Sequence, residues 1–142
     1  MKTWLSLFFW CTTFAALIIM FMSVGWLLIT VGLALIGVVI LHIISVTRTL
    51  KRALFLWKWV LLTSFTFLAF ALARTDFDDV NEYTGLSTLI NFFDGGKSKF
   101  VDGGTISFFL AVVLILSTIA IDILLLVKSK RLPPVPVNND FV

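Results

Sequence analysis

Four long apolar stretches occupy most of the chain, and almost all charged residues lie in the segments between them. The stretches cover residues 4–22, 26–46, 53–73 and 105–127. Each is close to the roughly 20 residues with which a helix crosses a hydrocarbon core of about 30 Å. The pattern predicts an all-α polytopic membrane protein whose four transmembrane helices form one domain, residues 1–127.

The first two stretches are separated by a short break. Residues 4–46 contain no Asp, Glu, Lys or Arg, and as one helix they would run about 65 Å, roughly twice the hydrocarbon core. The segment 23–25 is the best break, because Gly25 adopts turn geometry at little steric cost. We therefore expect the first two spans to form a tight helical hairpin, followed by two further spans.

The outer loop, residues 74–104, is too long to be a simple connector. Asp78 or Asp79 is a candidate helix cap, and Gly95-Gly96 is a candidate stop. Apolar residues recur between them at three- and four-residue spacing, which predicts a short amphipathic helix on the membrane surface or across the end of the bundle. Its apolar face is also a candidate docking surface. This outer-loop interaction face consists of Val80, Tyr83, Leu86, Leu89, Ile90 and Phe93.

The basic residues indicate the orientation in the membrane. Of the 11 Lys and Arg, eight fall on one side of the predicted spans and three on the other. Cytoplasmic segments are enriched in Lys and Arg, so both termini are predicted to be cytoplasmic, in a cell membrane that we take to be a bacterial inner membrane. The tail, residues 128–142, contains three prolines and is predicted to be extended and solvated.

Composition supports the membrane prediction and narrows the partners. The chain has 142 residues, of which 60% are hydrophobic and 13% charged, about half the charged share of a soluble domain. The formal net charge of +3 does not indicate nucleic acid, because the basic residues collect at the predicted membrane edges. The expected partners are the lipid bilayer and another membrane protein or a second copy of the chain.

Three ionisable side chains lie inside the predicted spans: His42, Lys58 and Asp122. Each is six residues from a basic residue at the cytoplasmic edge, which places all three at a similar depth of about 9 Å. Because an unpaired charge at that depth costs a few kcal/mol or more, we predict an intramembrane polar layer in which Asp122 faces Lys58 or His42. Two alternatives are that Lys58 simply reaches the headgroups and that the layer binds a proton or an ion.

Small residues on the second span suggest close helix contacts. Gly25 and Gly32 are seven residues apart and share a face, and Ala34 and Gly37 form a second small patch. Small residues let helix backbones approach closely. We expect them to be helix-packing residues inside the bundle, with an interface to another subunit as the alternative.

No residue set has the pattern of a catalytic, metal or cofactor site. Cys11 and His42, the sole residues of their types, belong to different levels of the spans. The stretch 94–98 resembles the end of a phosphate-binding loop, but Asn91 occupies the position of its first glycine. The acidic residues of segment 76–82 lack the glycine and the distal glutamate of a calcium loop. We therefore expect no catalytic residue, no metal and no cofactor.

The size and four-span layout resemble those of small bacterial inner-membrane proteins, among them immunity proteins against pore-forming toxins and accessory subunits of larger complexes. The resemblance is one of architecture, and it implies a non-enzymatic protein that binds or positions another membrane protein in an immunity-type or complex-assembly role. The alternative is an oligomeric ion or proton channel, or a small transporter, that uses the polar layer. A membrane enzyme would have to use the outer loop, which lacks a nucleophile or base arrangement.

Overall fold

A computed structural model of the chain describes residues 2–22, 26–77, 82–95 and 104–130. Within these ranges the fold is helical apart from one pair of three-residue strands, β1 and β2, which run antiparallel with Thr75 opposite Thr84. The strands are β1 (Thr75–Phe77) and β2 (Glu82–Thr84), and the helices are α1 (Lys2–Met22), α2 (Trp26–Arg52), α3 (Trp57–Ala73), α4 (Gly85–Phe93) and α5 (Gly104–Lys130), with a 3-10 turn at Leu54–Leu56.

Four helical segments are long and apolar enough to cross a membrane: Lys2–Met22, Val31–Arg52, Leu54–Ala73 and Thr105–Lys130. This confirms the predicted number of span-length apolar helices and is compatible with a multi-pass membrane protein. α2 and α5 continue beyond the predicted spans and end in basic turns. Basic side chains favour that extension, because they interact well with the negative end of the helix dipole.

The helices pack in an order that differs from their order in the sequence. α1 packs mainly against α3, α3 against α5, and α5 against α2. α1 ends at Met22 and α2 begins at Trp26, as expected, but the two helices touch over only a small part of their length. The predicted tight hairpin of the first two spans is therefore wrong. The polar side chains His42 and Ser45 of α2 find their partner, Asp122, on α5, and those hydrogen bonds hold α2 against α5 rather than against α1.

Two hydrophobic clusters form the core. One lies at the end of the bundle where α2 and α5 finish, and we call it the basic-end cluster. The other lies beneath α4, and we call it the α4-end cluster. The basic-end cluster contains Leu5, Phe9, Val46, Leu50, Ala53, Leu56, Val60, Ile121 and Leu125, and the α4-end cluster contains Ala16, Ile19, Met20, Phe67, Phe70, Ala71 and Ala111.

α4 lies across the ends of α1 and α3 and is fixed by its own N-terminus. The Thr84 hydroxyl accepts a hydrogen bond from the Ser87 amide at 3.0 Å, and the Ser87 hydroxyl accepts one from the Thr84 amide at 2.9 Å. This reciprocal capping satisfies two amides that a helix start otherwise leaves open. The helix ends before Asp94, and Gly95 follows with φ of 62°, a conformation that glycine adopts easily.

The predicted outer-loop interaction face is only partly helical. Tyr83 belongs to β2, so its assignment to the helix is wrong; the helix starts two residues later, where Thr84 supplies the cap. Val80, like the candidate caps Asp78 and Asp79, lies outside the described residues. Leu86, Leu89, Ile90 and Phe93 lie in α4: Leu89 packs against the α4-end cluster, and Leu86 and Phe93 are exposed.

Replacing Gly85 with alanine is expected to destabilise the protein. A Cβ atom there would overlap the carbonyl oxygen of Ala71 and lie 2.9 Å from Cγ2 of Ile19. Backbone atoms cannot give way cheaply, so we expect a loss of about 1–3 kcal/mol in the free energy of unfolding. Thermal unfolding in a mild detergent measures the loss.

Gly37→Ala is the matched control, because no atom lies within 4 Å of a Cβ at Gly37. That change should leave the stability unchanged or raise it by about 0.5–1 kcal/mol, as alanine is the better helix residue. If both variants unfold at the same temperature, the close contact of α4 with α3 is wrong.

Candidate functional site

A buried polar layer lies between the two hydrophobic clusters. It consists of His42 and Ser45 on α2, Thr63 on α3 and Asp122 on α5, and each of the four has a relative exposure of 0%. The layer therefore brings together side chains from three of the four span-length helices at a depth that solvent does not reach.

Asp122 is the centre of this layer. Its Oδ2 lies 2.9 Å from Nδ1 of His42, and its Oδ1 accepts hydrogen bonds from the hydroxyls of Ser45 at 2.8 Å and Thr63 at 3.0 Å. A buried carboxylate is costly unless such donors satisfy it. Asp122 thus links α5 to both α2 and α3.

Helix geometry explains how α2 presents two donors to one carboxylate. His42 and Ser45 are three residues apart and so share a face of α2. The Ser45 hydroxyl also lies 3.0 Å from the carbonyl of His42, and the Thr49 hydroxyl donates to the Ser45 carbonyl at 2.8 Å. Such bonds to the preceding turn let Ser and Thr sit inside an apolar helix without leaving a donor open.

The rings of two phenylalanines enclose His42. The Phe67 ring stacks on the imidazole with centroids 4.6 Å apart, and the Phe9 ring is tilted against it at 5.4 Å. Phe9 belongs to the basic-end cluster and Phe67 to the α4-end cluster. The imidazole is therefore held in a fixed orientation, and Phe9 is the contact through which α1 meets the polar layer.

The contact between α3 and α5 has a second polar link about one helical turn away. The Thr118 hydroxyl lies 2.9 Å from the Thr66 hydroxyl, and the Thr66 hydroxyl donates to the carbonyl of Thr63 at 3.0 Å. Hydrogen bonds between transmembrane helices contribute about 0.6 kcal/mol each on average. The α3–α5 pair is consequently held at two levels.

The second nitrogen of His42 is the open atom of the layer. Nε2 is buried and has no hydrogen-bond partner among the described residues. With one proton on Nδ1, neutral His42 donates to the carboxylate of Asp122; with a second proton on Nε2, the same contact is an ion pair. In both states Nδ1 donates and Oδ2 accepts, so the link between α2 and α5 does not require the second proton.

The structure brings His42 and Asp122 together but leaves Lys58 out of the layer. Lys58 is exposed, its ammonium lies 5.7 Å from the centroid of the Trp57 ring, and it has no ion pair with Asp122. The predicted facing of Asp122 and Lys58 is therefore wrong, whereas the alternative contact with His42 is present. A long lysine side chain can carry its charge to the polar edge of the membrane, so Lys58 does not need a charged partner at the depth of the polar layer.

The predicted helix-packing residues do not pack inside the bundle. No atom lies within 4 Å of a Cβ built on Gly32 or Gly37, and Ala34 is exposed. Gly25 lies outside the described residues. For Gly32, Ala34 and Gly37 the assignment to packing within the bundle is wrong, because α2 turns its polar face inward and these small residues toward the outside.

Gly32 lies instead on the wall of an apolar groove between α1 and α2. The groove has a volume of about 260 Å³. It exists because α1 and α2 approach each other so little along their length. We call it the α1–α2 groove, and its lining residues are Leu17, Met20 and Phe21 of α1 and Gly32, Leu35, Ile36, Val39 and Ile40 of α2.

Sequence reasoning missed Ser45 and Thr63 as members of the polar layer, and it missed the burial of Arg74. Ser45 and Thr63 resemble the many other hydroxyl residues of the spans; the one available signal was the three-residue spacing of Ser45 from His42. Arg74 was counted among the charges at a membrane edge, yet its side chain is 2% exposed and its Nη2 lies 3.4 Å from the Met20 carbonyl. Nothing in the sequence around Arg74 predicts that burial.

The described residues contain no group of three or more His, Cys, Asp or Glu side chains that could hold a metal ion. No protein-family model matches the chain, and neither the curated proteins nor the solved structures include a match.

Disrupting the His42–Asp122 contact is expected to reveal an energetic coupling between the two residues. Asp122→Asn and His42→Gln should each cost about 1–3 kcal/mol, because each leaves a buried partner poorly satisfied. The double variant should lose less than the sum of the single losses by about 0.5–3 kcal/mol. Unfolding titrations in mixed detergent micelles measure the free energy of unfolding of the wild type, the two single variants and the double variant.

Lys58→Gln combined with Asp122→Asn is the matched control. Lys58 is exposed, so its loss should add to that of Asp122 within about 0.5 kcal/mol. Coupling in the Lys58 pair, or strict additivity in the His42 pair, would contradict the arrangement of the layer.

Proposed function

We propose that the chain is a multi-pass membrane protein with both termini in the cytoplasm and with a non-enzymatic function: it binds another membrane protein through the α1–α2 groove. The observation that carries the proposal is this open, apolar groove with a glycine on its wall. The immunity-type and complex-assembly roles both fit such a binding function, and the bacterial inner membrane is the proposed location.

The polar layer supports a structural role for the ionisable residues inside the bundle. His42 and Asp122 are fully buried and in contact with each other. The hydroxyls of Ser45 and Thr63 donate hydrogen bonds to Oδ1, the other carboxylate oxygen of Asp122. A catalytic acid or base has to reach its substrate, within hydrogen-bond distance or through one water. Side chains that are closed to solvent and occupied by each other are better suited to fixing the helices.

The groove supports binding of a helix. In an α-helix, glycine costs about 0.5–1 kcal/mol relative to alanine, and Gly32 makes no contact inside the molecule that requires a missing side chain. Small residues are what transmembrane helix interfaces use to bring backbones close together. Gly32 therefore fits the approach of an additional transmembrane helix between α1 and α2.

The surface of α2 extends this contact area. Residues 31–52 are the least buried of the four span-length segments, and Leu33 is 88% exposed. Ile36 and Ile40 line the groove and are also exposed. A helix seated in the groove would cover these side chains without any change in the bundle.

α4 offers a second surface at the opposite end from the basic residues. Leu86, Phe92 and Phe93 are exposed, and the two phenylalanine rings lie edge to face with centroids 5.5 Å apart. We propose that this apolar tip lies in the headgroup region of the membrane, where aromatic side chains are favoured.

Filling the groove is expected to release the partner. Gly32→Leu adds a side chain where no atom lies within 4 Å of the Cβ, so the bundle should stay folded while the incoming helix is blocked. We expect the recovery of the native complex from membranes in mild detergent to fall roughly tenfold, equivalent to about 1.4 kcal/mol of binding free energy. Size-exclusion chromatography and mass spectrometry of the purified complex measure the stoichiometry.

Ala120→Leu is the control, because Ala120 is exposed on α5, away from the groove. It should leave the complex intact. A chain that is recovered alone from native membranes, or a complex that ignores Gly32→Leu, would refute binding at the groove.

The alternative function is a proton or ion pathway through the polar layer in an oligomer. The open Nε2 of His42 favours it, since a buried imidazole nitrogen without a partner is a possible proton-binding atom. The complete burial of the four layer residues opposes it, because conduction needs a hydrated route.

Proton flux into liposomes separates the two functions. We expect no flux above that of protein-free liposomes from the wild-type chain, and no change with Asp122→Asn. Flux that Asp122→Asn abolishes, while Lys58→Gln leaves it intact, would replace the binding function by transport.

A further inference from the structure

The cytoplasm-facing end of α2, as we orient it, carries positive charge that no acidic side chain among the described residues pairs with. Arg48, Lys51 and Arg52 lie in its last two turns. No Asp or Glu occurs in the sequence before Asp76, and none of the three basic residues has an ion-pair partner among the described residues. The one acidic residue inside the bundle, Asp122, is already bound by His42. Within the described part of the chain, these basic side chains are therefore left to solvent or to an anion from another molecule.

These basic side chains form a shallow site of defined shape. Together with Ile44 and Thr47 they line a groove of about 320 Å³ on α2. Lys51 and Arg52 are exposed, whereas Arg48 is half-buried and its Nε is a buried donor with no hydrogen-bond partner among the described residues. An anion in the groove would meet two exposed cationic side chains and one half-buried guanidinium whose Nε has no hydrogen-bond partner among the described residues.

An apolar stripe continues from this site along the same side of α2. Leu33, Ile36, Ile40 and Ile44 are exposed and follow one another at three- or four-residue spacing. That spacing keeps them on one face of the helix, and Lys51 is seven residues beyond Ile44, on the same face again. A ligand that lies along α2 would therefore meet hydrocarbon surface first and positive charge at its end.

We propose that this surface binds an anionic phospholipid, whose phosphate is held by Arg48, Lys51 and Arg52 and whose acyl chains lie against Ile44, on the headgroup side of the residues that line the α1–α2 groove. Guanidinium groups bind phosphate through paired hydrogen bonds, and juxtamembrane basic residues attract anionic lipids. The inference rests on the proposed membrane location but not on the partner at the α1–α2 groove.

A different explanation of the same residues makes a distinguishable prediction. Basic residues at a helix end also favour the cytoplasmic side during insertion and interact with the helix dipole. Neither effect requires a lipid of particular charge. Purified protein in detergent is no longer inserted in an oriented membrane. Selectivity for one lipid measured in detergent therefore reflects binding at the site and not the topology of the protein.

The test is lipid binding by the full chain, purified and delipidated in a non-ionic detergent. Native mass spectrometry measures the affinity for phosphatidylglycerol and for phosphatidylcholine with identical acyl chains. We expect preferential binding of phosphatidylglycerol, and we expect Arg48→Gln/Lys51→Gln/Arg52→Gln to lower its affinity by roughly a hundredfold, at about fivefold for each of the three charges. Lys51→Gln/Arg52→Gln, which changes only exposed residues, tests the site if the triple variant does not fold.

Lys58→Gln/Lys128→Gln/Lys130→Gln is the matched control. It removes the same charge from exposed residues at the same end of the bundle, and it should keep the preference for phosphatidylglycerol. Equal affinity for the two lipids in the wild type, or equal losses in both triple variants, would overturn the proposal.

Free glycerol phosphate provides the last arm of the experiment. Because the proposal includes the acyl chains, glycerol phosphate should not displace phosphatidylglycerol at equal concentration. Displacement would mean that the site binds a soluble phosphate and would overturn the lipid assignment.

A chain that stays monodisperse after the detergent is removed would contradict the membrane location itself. If the protein needs detergent to stay in solution but binds both lipids equally well, the lipid site is contradicted and the membrane location is not.

Discussion

The hydrogen bonds to Asp122 are the interaction on which the helical arrangement depends. Lipid tails are as apolar as leucine, so apolar contact alone gives transmembrane helices little reason to prefer one neighbour or one rotation. A carboxylate buried among apolar side chains must be satisfied, and its donors come from His42 and Ser45 on one helix and Thr63 on another. Rotating any of the three helices would move a donor away and leave the carboxylate unsatisfied in the interior of the bundle. The layer thus specifies both which helices are neighbours and which faces they turn to each other.

The position of α1 follows from the fact that none of the hydrogen bonds to Asp122 comes from α1. α1 meets the layer through the ring of Phe9 and is otherwise held by packing on α3 and α4. α2, by contrast, is tied to α5, and so it cannot also close against α1 along its whole length. The α1–α2 groove is therefore a direct consequence of the polar layer, and the glycine on its wall is free to serve an external contact.

The sequence predicts features that depend on position along the helix axis, such as span length and depth. It fails for features that depend on how each helix is rotated about its axis. The four span-length helices follow from the length of the apolar runs, and the meeting of His42 with Asp122 follows from equal depth and the cost of unpaired charge. The neighbour of α2 was misassigned because the short link at residues 23–25 favoured packing against α1, whereas the polar face with His42 and Ser45 places α2 beside Asp122 on α5. Lys58 was misplaced because depth says nothing about where a long side chain ends, and Tyr83 because the helix cap is Thr84 rather than an aspartate.

The charged groups of the described residues differ between the polar layer and the end of α2. In the layer Asp122 has donors at both oxygens, so the Nε2 of His42 is the one side-chain atom of the layer without a hydrogen-bond partner among the described residues. At the end of α2 the opposite holds, since Arg48, Lys51 and Arg52 meet no carboxylate in the described part of the chain. Charges at a membrane edge lower their free energy by attracting anionic headgroups within about one Debye length. This division favours a protein that acts through what it binds on its outside, lipid at one end of α2 and a helix along its middle, over one that moves an ion through its centre.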